Sequence, residues 1–269
     1  MQIRLSDGTR LYLEEIGSVW YRRPTPISAC AELPDLEKTF IEREARSGLW
    51  GLLRGLNAVW VNHPDANRAA AYKPRQLQVA QSLGLTIPRT LITNEPHALK
   101  QFYEECVGKV IYKLMGFPLY EDREALPLST YTSLVPEEMM SQAHRIRATA
   151  HMFQEFLEKV CDVRAVVIDQ EVFAVAVYPL SDEARIDFRR DYHALRYEIH
   201  HLPGTVQKAL LEMNRYYRLA YTAVDLLYTK DGRYVFLETN PVGQFGWLED
   251  PSGLPLYQSL ARLLTGSTL

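Results

Sequence analysis

The sequence predicts an α+β fold made of separate lobes rather than one doubly wound sheet. Helix-bearing and strand-rich blocks follow each other along the chain, and the strand-rich part contains two hairpin turns, at 169–171 and 230–232. The chain has 269 residues, of which 47% are hydrophobic and 23% charged, so it can bury a full core. Antiparallel sheets joined by short turns are therefore expected in its second half.

The first half of the chain alternates strands and helices. Gly84 and Pro88 follow the second helix as stop signals, and Asn94 is in a position to cap the next one. The predicted order is a strand at 18–21, a helix at 36–56, a strand at 58–61, a helix at 67–83, a strand at 90–93, a helix ending near 106 and a strand at 109–113.

The second half opens with a stretch from 116 to about 142 that is rich in proline, acids and hydroxyl residues, and we expect it to be a mobile cover segment. Apolar and β-branched runs then predict an antiparallel sheet. The predicted order is strands at 152–157, 164–169 and 172–178, a helix at 206–217, strands at 224–228 and 234–239, and a helix at 254–264.

Composition excludes several classes of function. The formal net charge of −3 gives no surplus of Lys and Arg for binding nucleic acid. No apolar run approaches the length of a membrane span, and the polar N-terminus lacks the apolar region of a signal peptide. Three cysteines without CxxC spacing suggest neither a zinc site nor a disulfide framework. A cytoplasmic protein is expected.

Two carboxylates and an amide mark a predicted metal site on the last hairpin. Glu238 and Asn240 are two residues apart on a strand, so they share one face, and Asp225 lies on the partner strand. Hard oxygen ligands of this kind suit Mg²⁺, which completes its shell with water and substrate phosphates. The alternative is that Asp225 and Glu238 are edge-strand charges that face solvent.

These residues resemble the metal ligands of the ATP-grasp superfamily, an Asp strand followed by a Glu-x-Asn strand. The family also uses two lysines, and the matching positions are Lys73, before a helix that ends in Gly-x-x-x-Pro, and Lys113, at the end of a strand. The resemblance implies an ATP-grasp fold, in which two α+β lobes hold ATP and Mg²⁺ between them. Lysines offer mobile point charges for phosphate oxygens; either one could otherwise be a solvated surface residue.

The segment Gln154-Glu155-Phe156-Leu157 resembles the hinge of this family, where backbone groups and the Glu meet adenine and apolar side chains cover the ring. Asp162 matches the acid that receives the ribose hydroxyls, although Glu155 and Asp162 could also be solvated strand ends. Arg164 shares a strand face with Asp162 and is expected to aim its guanidinium at the phosphates or the acyl phosphate. The family's glycine-rich phosphate loop is represented near Lys113 by Gly116 alone.

Within the superfamily, the sequence is similar to the macrocyclases that mature microviridins and related graspetides. The motifs are Lys73 to Ala80, Asp162-Val163-Arg164, Asp187-Phe188-Arg189 and Asn240 to Phe245. The resemblance implies that Arg189 lies over the transferred phosphoryl group or the acceptor carboxylate, with Asp187 orienting it or acting on the nucleophile. The alternative for both is a solvated charge run.

The resemblance also implies an organisation of the chain. We expect a partial N-terminal lobe at 1–64, a central subdomain at 65–152 and a C-terminal subdomain with hinge and metal site at 153–269. Family members normally begin with a further strand-helix-strand unit, so either this is a shortened form or its first lobe is reduced. A homodimer is possible.

The predicted function is ATP-dependent crosslinking of a ribosomal precursor peptide, leader and core. A Glu or Asp side chain would be phosphorylated, and a Ser, Thr or Lys side chain of the same peptide would displace the phosphate to form an ω-ester or ω-amide. Two alternatives stay open: a carboxylate-amine ligase acting on an amino acid or a protein terminus, and a scaffold that binds ATP or peptide without turnover.

Overall fold

The computed structural model describes residues 1–22, 24–116 and 132–266. The strands are β1 (Gln2–Arg4), β2 (Arg10–Tyr12), β3 (Ser18–Trp20), β4 (Val59–Val61), β5 (Thr90–Thr93), β6 (Val110–Lys113), β7 (Ser133–Leu134), β8 (His151–Glu155), β9 (Lys159–Ile168), β10 (Glu171–Pro179), β11 (Leu195–Ile199), β12 (Tyr221–Thr229) and β13 (Tyr234–Asn240). The helices are α1 (Asp35–Arg54), α2 (Pro64–Ala70), α3 (Lys73–Ser82), α4 (Pro96–Glu105), α5 (Asp182–Ile186), α6 (Gly204–Tyr217), α7 (Gly246–Ser252) and α8 (Leu256–Thr265).

The larger sheet is antiparallel, with the strand order β11-β10-β9-β12-β13. Because side chains alternate along a strand, Val163, Ala165 and Val167 of β9 share one face. That face packs against α6 through Leu210 and Met213 in the largest hydrophobic cluster. The hydrophobic contacts with α6 thus cover this face of the sheet, and the site residues are expected on the opposite face.

The other face of this sheet changes character along its length. Val166 and Ile168 of β9 are buried in a second cluster with Leu248 and Leu256, on α7 and α8. Asp162, four residues before Val166 on the same face, lines a cleft instead. The two C-terminal helices therefore cover the part of the face around Val166 and Ile168, and the part around Asp162 faces the cleft.

A smaller antiparallel sheet, of strand order β5-β8-β6-β7, forms the opposite wall of the cleft. Its core joins Phe102 of α4 to Val110 and Phe153. The 3₁₀-helical segment Glu137–Ala148 packs on the same core through Ala143 and Ile146. The end of the predicted cover segment is thus ordered, while its part at 117–131 lies outside the described residues.

The N-terminal section joins the larger sheet through a buried side chain. β3 and β4 form a parallel pair, and the next residue, Asn62, is 1% exposed. Its Nδ2 donates to the carbonyls of Tyr221 and Pro241, at 2.8 and 2.9 Å. Its Oδ1 accepts from the backbone N–H groups of Ala220 and Tyr221, at 2.8 and 2.9 Å. All four contacts hold β4 against the larger sheet.

The predicted α+β class is confirmed, and strands such as β5 and β6 lie where the sequence placed them. The single helix predicted at 67–83 is wrong: α2 ends at Ala70 and α3 begins at Lys73, because Pro74 has no N–H to donate to the carbonyl of Ala70 and its ring would clash with that carbonyl in a continuous helix. The cap of α4 is also not Asn94, since the Glu95 carboxylate accepts from His97 N at 3.1 Å. β11 and α7 were not predicted. The division at 64 and 152 stays a prediction, and residue 152 falls within β8.

Candidate active site

A cleft of about 870 Å³ lies between the two sheets and is closed on one side by α2 and α3. Its walls bring together predicted site residues that are far apart in the sequence and come from several elements. Those lining it are Lys73, Lys113, Gln154, Glu155, Leu157, Asp162, Asp187, Arg189, Asp225, Glu238 and Asn240.

The predicted metal ligands lie on the hairpin of β12 and β13. Asp225 and Glu238 are directly opposite each other in the strand register, with an irregularity just after Asp225. Asn240 follows Glu238 by two residues, so it points to the same side. Its Oδ1 accepts a hydrogen bond from Val242 N at 3.1 Å. The hairpin thus directs three oxygen-bearing side chains into one cleft.

Two lysines lie beside Glu238. Lys73 Nζ is 2.9 Å from Glu238 Oε2 and also donates to the carbonyl of Leu114 at 2.9 Å. Burial raises the pKa of Glu238, but the charges of Lys73 and Lys113 outweigh it, and the pKa lies below the ordinary value. Glu238 is therefore held as an anion by two cations.

Lys113 is in a different electrostatic state from a surface lysine. Burial in the cleft lowers its pKa from 10.5 to about 8, and the positive charge of Lys73 acts in the same direction. Glu238 and Asp225 counteract part of this effect. An added anion such as a phosphate group would stabilise the charged form of Lys113.

Arg164 differs from the sequence-based expectation, because its guanidinium lies beneath Asp225 rather than reaching into the cleft. Nη1 donates to Asp225 Oδ1 at 2.6 Å, and Nη2 donates to the carbonyl of Gln244 at 3.2 Å. The arginine side chain is 8% exposed. Its position opposite Asp225 in the register of β9 and β12 explains the contact. Arg164 thus orients a predicted metal ligand.

Asp187 and Arg189 form a two-point ion pair at the edge of the cleft. Arg189 donates from Nε to Asp187 Oδ1 at 2.8 Å and from Nη2 to Oδ2 at 2.6 Å. Backbone N–H groups of Arg189 and Thr132 donate to the same carboxylate, at 3.1 and 3.0 Å. Asp187 is buried, so this motif is not a solvated charge run. Burial raises the pKa of Asp187, but the hydrogen bonds and charge of Arg189 lower it below its ordinary value.

The predicted hinge lies where β8 ends. Gln154 is 1% exposed, and its Nε2 donates to Thr90 Oγ1 at 3.0 Å. Its Oε1 has no hydrogen-bond partner within the described residues. Glu155 accepts from Arg89 N at 2.8 Å, so its side chain fastens β8 to the segment before β5. Leu157 lines the cleft beside Phe156.

Asp162 is paired with a residue that sequence reasoning missed. Lys159 Nζ lies 2.6 Å from Asp162 Oδ2, and both side chains are about nine-tenths buried. Burial raises the pKa of Asp162 to about 6, although the charge of Lys159 opposes the shift. Lys159 also lines the cleft. It is the first residue of β9, three positions before Asp162. The opposite charges of Lys159 and Asp162 at this short spacing were the sequence signal that could have identified Lys159.

Gln76 is a second residue that the sequence analysis did not identify. It is 2% exposed, and its Oε1 accepts from Thr239 N at 3.0 Å while Nε2 donates to Thr239 O at 2.8 Å. Thr239 lies between Glu238 and Asn240, so Gln76 fixes the backbone that carries both. Gln76 precedes the buried Val79 by three positions and the buried Ala80 by four, so it lies on the same face of α3. This spacing was the sequence signal that Gln76 is buried.

The donor set fits a magnesium ion better than a metal held by protein alone. In the described part of the chain there is no group of three or more His, Cys, Asp or Glu residues that could hold a metal. Asp225, Glu238 and Asn240 supply two carboxylates and one amide oxygen, and Mg²⁺ commonly takes its remaining ligands from water and phosphate. The site would thus be completed by a nucleotide.

Known structures resemble this chain over most of its length. One is the macrocyclase MdnC from Microcystis aeruginosa bound with precursor peptide MdnA, at 31% identity, 97% of this chain, 82% of that chain and a TM-score of 0.83. A second is a RiPP-associated ATP-grasp ligase from Chryseobacterium gregarium in complex with ADP and a leader and core peptide, at 27% identity, 96% and 79% coverage and a TM-score of 0.86. A third is the ATP-grasp ligase PsnB with a phosphomimetic variant of minimal precursor, Mg and ADP, at 27% identity, 85% and 70% coverage and a TM-score of 0.68.

No protein-family model and no curated protein sequence matches the chain significantly. Among the residues that the structure describes, no helix is both long and apolar enough to cross a membrane. The possible homodimer stays a prediction. Identity above 30% over most of both chains, together with the cleft between two α+β sheets, carries the assignment: the chain belongs to the ATP-grasp ligases that act on ribosomal precursor peptides.

Proposed function

We propose that this ligase phosphorylates a Glu or Asp side chain of a ribosomal precursor peptide and then forms an ω-ester or ω-amide crosslink within that peptide. The observation that carries the proposal is the cleft itself, in which Lys73, Lys113 and Arg189 share walls with Asp225 and Glu238. Cations beside hard oxygen ligands are what phosphoryl transfer requires, since its catalysis depends on positioning and charge neutralisation.

The cleft offers distinct places for the parts of ATP. We assign the adenine to the end formed by Gln154 and Leu157, where the buried Gln154 Oε1 is an acceptor without a partner among the described residues. Asp162 would receive the ribose, and Lys73 and Lys113 the phosphates. A buried acceptor of this kind favours an amino group as its ligand, because an unpaired buried oxygen is costly.

We assign Mg²⁺ to Asp225, Glu238 and Asn240. When bound, the ion would neutralise phosphate charge. This effect typically stabilises a transition state by several kcal/mol. Arg164 holds Asp225 from below at 2.6 Å, and Gln76 holds the backbone of Thr239. These two side chains therefore keep the oxygen ligands in place, which a preorganised site requires.

The proposed reaction has two balanced steps. A peptide carboxylate attacks the γ-phosphorus of ATP, and ADP leaves, so that an acyl phosphate forms. A hydroxyl or amine of the same peptide then attacks the acyl carbon, loses its proton, and phosphate leaves. The peptide loses one water in all, and one ATP becomes ADP and phosphate.

Arg189 is the residue that we assign to the acceptor carboxylate or the transferred phosphoryl group. Its planar guanidinium suits either anion. Asp187 accepts four hydrogen bonds and has a lowered pKa. A carboxylate with these contacts is a weak base, so the geometry favours orientation of Arg189 over proton abstraction as the role of Asp187.

The test uses a precursor peptide identified among the open reading frames beside the gene, with ATP and Mg²⁺, and counts water losses by mass spectrometry together with ADP release. We expect crosslinking by the wild type and a fall of about 10²- to 10³-fold in rate for Glu238→Gln, because one element of an electrostatic site is lost. Glu212→Gln, at a partly exposed position of α6 that does not line the cleft, is the matched control.

Two outcomes would contradict the proposal. Wild-type rates in Glu238→Gln would remove the metal assignment. ADP release with an unmodified peptide but a ligated free amine would instead make the protein a carboxylate-amine ligase.

A further inference from the structure

The helix α2 has two different sides. Ala66 and Ala70 pack on the main hydrophobic core. The residues of α2 and its C-cap that line the cleft are spaced three or four apart, as one helix face requires; they are Pro64, Asn67, Arg68 and Ala71. One complete side of α2 is therefore a wall of the active-site cleft.

Both ends of α2 are tied to the segment that carries the predicted metal ligands. Just before the helix, Asn62 Nδ2 donates to the carbonyl of Pro241 at 2.9 Å. At its end, Gln76 Nε2 donates to the carbonyls of Ala70 and Thr239, at 2.5 and 2.8 Å. The helix thus runs beside residues 239–241 and lies next to Glu238 and Asn240, whereas the hinge belongs to the other sheet.

Asn67 is the unusual residue of this wall. It is 8% exposed, and neither its Oδ1 nor its Nδ2 has a hydrogen-bond partner within the described ranges. The same holds for Nε of Arg54, which also lines the cleft. Buried polar atoms are nearly always paired in proteins, and an unpaired one destabilises the fold. A buried amide that faces a substrate cleft therefore points to a ligand.

The chemistry of the amide selects the ligand. A side-chain amide presents one acceptor and donors side by side, so its complement is another amide, such as a peptide backbone. A phosphate accepts only and would leave Oδ1 unpaired. Arg68 adds positive charge on the same wall, which favours acidic side chains nearby, whereas the charge of Arg54 is paired with Asp65, with Nη2 3.4 Å from Oδ1.

We propose that the cleft-facing side of α2 is a subsite for the acidic core segment of the peptide substrate. In it, Asn67 pairs with a backbone amide next to the reacting carboxylate, and Arg68 attracts neighbouring acids. This assignment rests on the proposed function, because it names the part of the peptide that reaches the metal ligands. It makes Asn67 and Arg68 residues that determine which peptide side chain is activated.

The experiment compares Asn67→Leu and Arg68→Gln with the wild type. The control is Arg46→Gln, an equal loss of charge on the exposed surface of α1. The probe is the fluorescein-labelled precursor peptide encoded beside the gene, titrated in the presence of ADP and Mg²⁺, and ADP affinity is measured separately. Each α2 variant should raise the peptide Kd about tenfold, as the loss of one or two hydrogen bonds or a charge contact implies, and leave the ADP Kd unchanged.

Thermal stability separates a ligand site from a structural role. Since Asn67 has no hydrogen-bond partner among the residues that the structure describes, Asn67→Leu should leave the melting temperature of the free protein unchanged or raise it. A lower melting temperature with an unchanged peptide Kd would make Asn67 structural and overturn the proposal. If Asn67→Leu both unfolds more easily and binds peptide less, the variant of the exposed Arg68 decides: an unchanged peptide Kd in Arg68→Gln overturns the proposal.

A second peptide, with its core Asp and Glu replaced by Asn and Gln, tests the charge argument. The wild type should bind it about tenfold less tightly, and Arg68→Gln should show a smaller difference between the two peptides than the wild type. Equal loss of ADP and peptide binding in the α2 variants would assign this wall to the nucleotide and overturn the subsite. A wild type that binds the peptide but never removes water from it would instead contradict the proposed crosslinking alone.

Discussion

Four of the carboxylates that line the cleft have a cation within ion-pair distance. The pairs are Lys73–Glu238 at 2.9 Å, Arg164–Asp225 at 2.6 Å, Arg189–Asp187 at 2.6 Å and Lys159–Asp162 at 2.6 Å. Breaking a buried pair by removing one partner leaves an uncompensated charge, which costs more than the pair itself contributes. The arrangement therefore keeps a dense set of charges in place before a nucleotide adds further negative charge.

The depressed pKa of Lys113 leads to a prediction about pH. With a pKa of about 8 in the free protein, Lys113 is charged at neutral pH and mostly neutral at about pH 9, so ADP binding at the higher pH requires uptake of a proton. ADP affinity should then fall about tenfold between about pH 7 and pH 9. Isothermal titration at several pH values measures it.

The matched control for this prediction is Lys113→Arg, which stays charged over the whole range. Its ADP affinity should change little with pH. Parallel pH profiles of the wild type and Lys113→Arg would show that Lys113 does not bind the phosphates through its charge.

The sequence was sufficient to predict the direction of a side chain where strand alternation and hairpin pairing alone determine it. Alternation along β12 and β13 predicted that Asp225, Glu238 and Asn240 would face one cleft, as they do. It could not predict the position of Arg164, because the same sheet face changes from cleft to core within a few residues of β9. That change depends on where α7 and α8 lie, and no pattern within β9 records it.

At the scale of elements, the turn after β13 sets how closely two parts of the site approach. A Cβ at Gly243 would lie 2.6 Å from Ala223 Cβ and 2.8 Å from Arg164 Nη2. The backbone there can approach β12 and β9 only because the residue has no side chain. Gly243 thus permits the Gln244 carbonyl to accept its hydrogen bond from Arg164.

Gly243→Ala should therefore displace the Arg164 guanidinium from Asp225. We expect a loss of about 1–3 kcal/mol in the free energy of unfolding, as for other overpacked sites, and a lower rate of ADP release. Urea denaturation and the peptide assay measure the two effects. Gly48→Ala is the control, since an added Cβ there meets no described atom within 4 Å outside its own stretch of α1 and should stabilise that helix slightly.

An unchanged stability and rate in Gly243→Ala would mean that the turn can move without cost to Arg164. The contrast with Gly48 is informative because both changes add the same methyl group. Only the surroundings of the two positions differ.

The boundary between α2 and α3 illustrates what element prediction can reach. The periodicity from 67 to 83 predicts one continuous helix, whereas α2 ends at Ala70, four residues before Pro74, and Pro74 lies in the first turn of α3. The break is important, because it gives α2 its own direction and brings Lys73 to the start of α3, beside Glu238. A proline near the start of a helix was the signal that periodicity alone concealed.

At the scale of the whole molecule, single buried amides join sections that are far apart in the sequence. Gln76 connects α3 to β13 across 163 residues, and Asn62 connects the section around β4 to β12 across 159 residues. The residue type alone did not reveal these roles, since an isolated Asn after an apolar strand is also typical of a turn. Only the packed structure supplies the partners.

The last prediction concerns Asn62, which makes four hydrogen bonds to backbone groups of residues 220, 221 and 241. Asn62→Leu keeps the branching at Cγ but leaves two N–H groups and two carbonyls without their partner, and each unpaired buried group costs about 1–3 kcal/mol. We expect a loss of more than about 3 kcal/mol in the free energy of unfolding, measured by urea denaturation. The control is Asn57→Leu, at an exposed position five residues earlier, which should change the free energy of unfolding by less than about 0.5 kcal/mol.

Because Asn62 also holds the carbonyl of Pro241, next to Asn240, ADP and Mg²⁺ should stabilise Asn62→Leu less than the wild type at equal concentrations. Full stability in Asn62→Leu would mean that the N-terminal section is held by its apolar contacts, such as Val61 in the cluster with Tyr221, and that the amide only follows their packing.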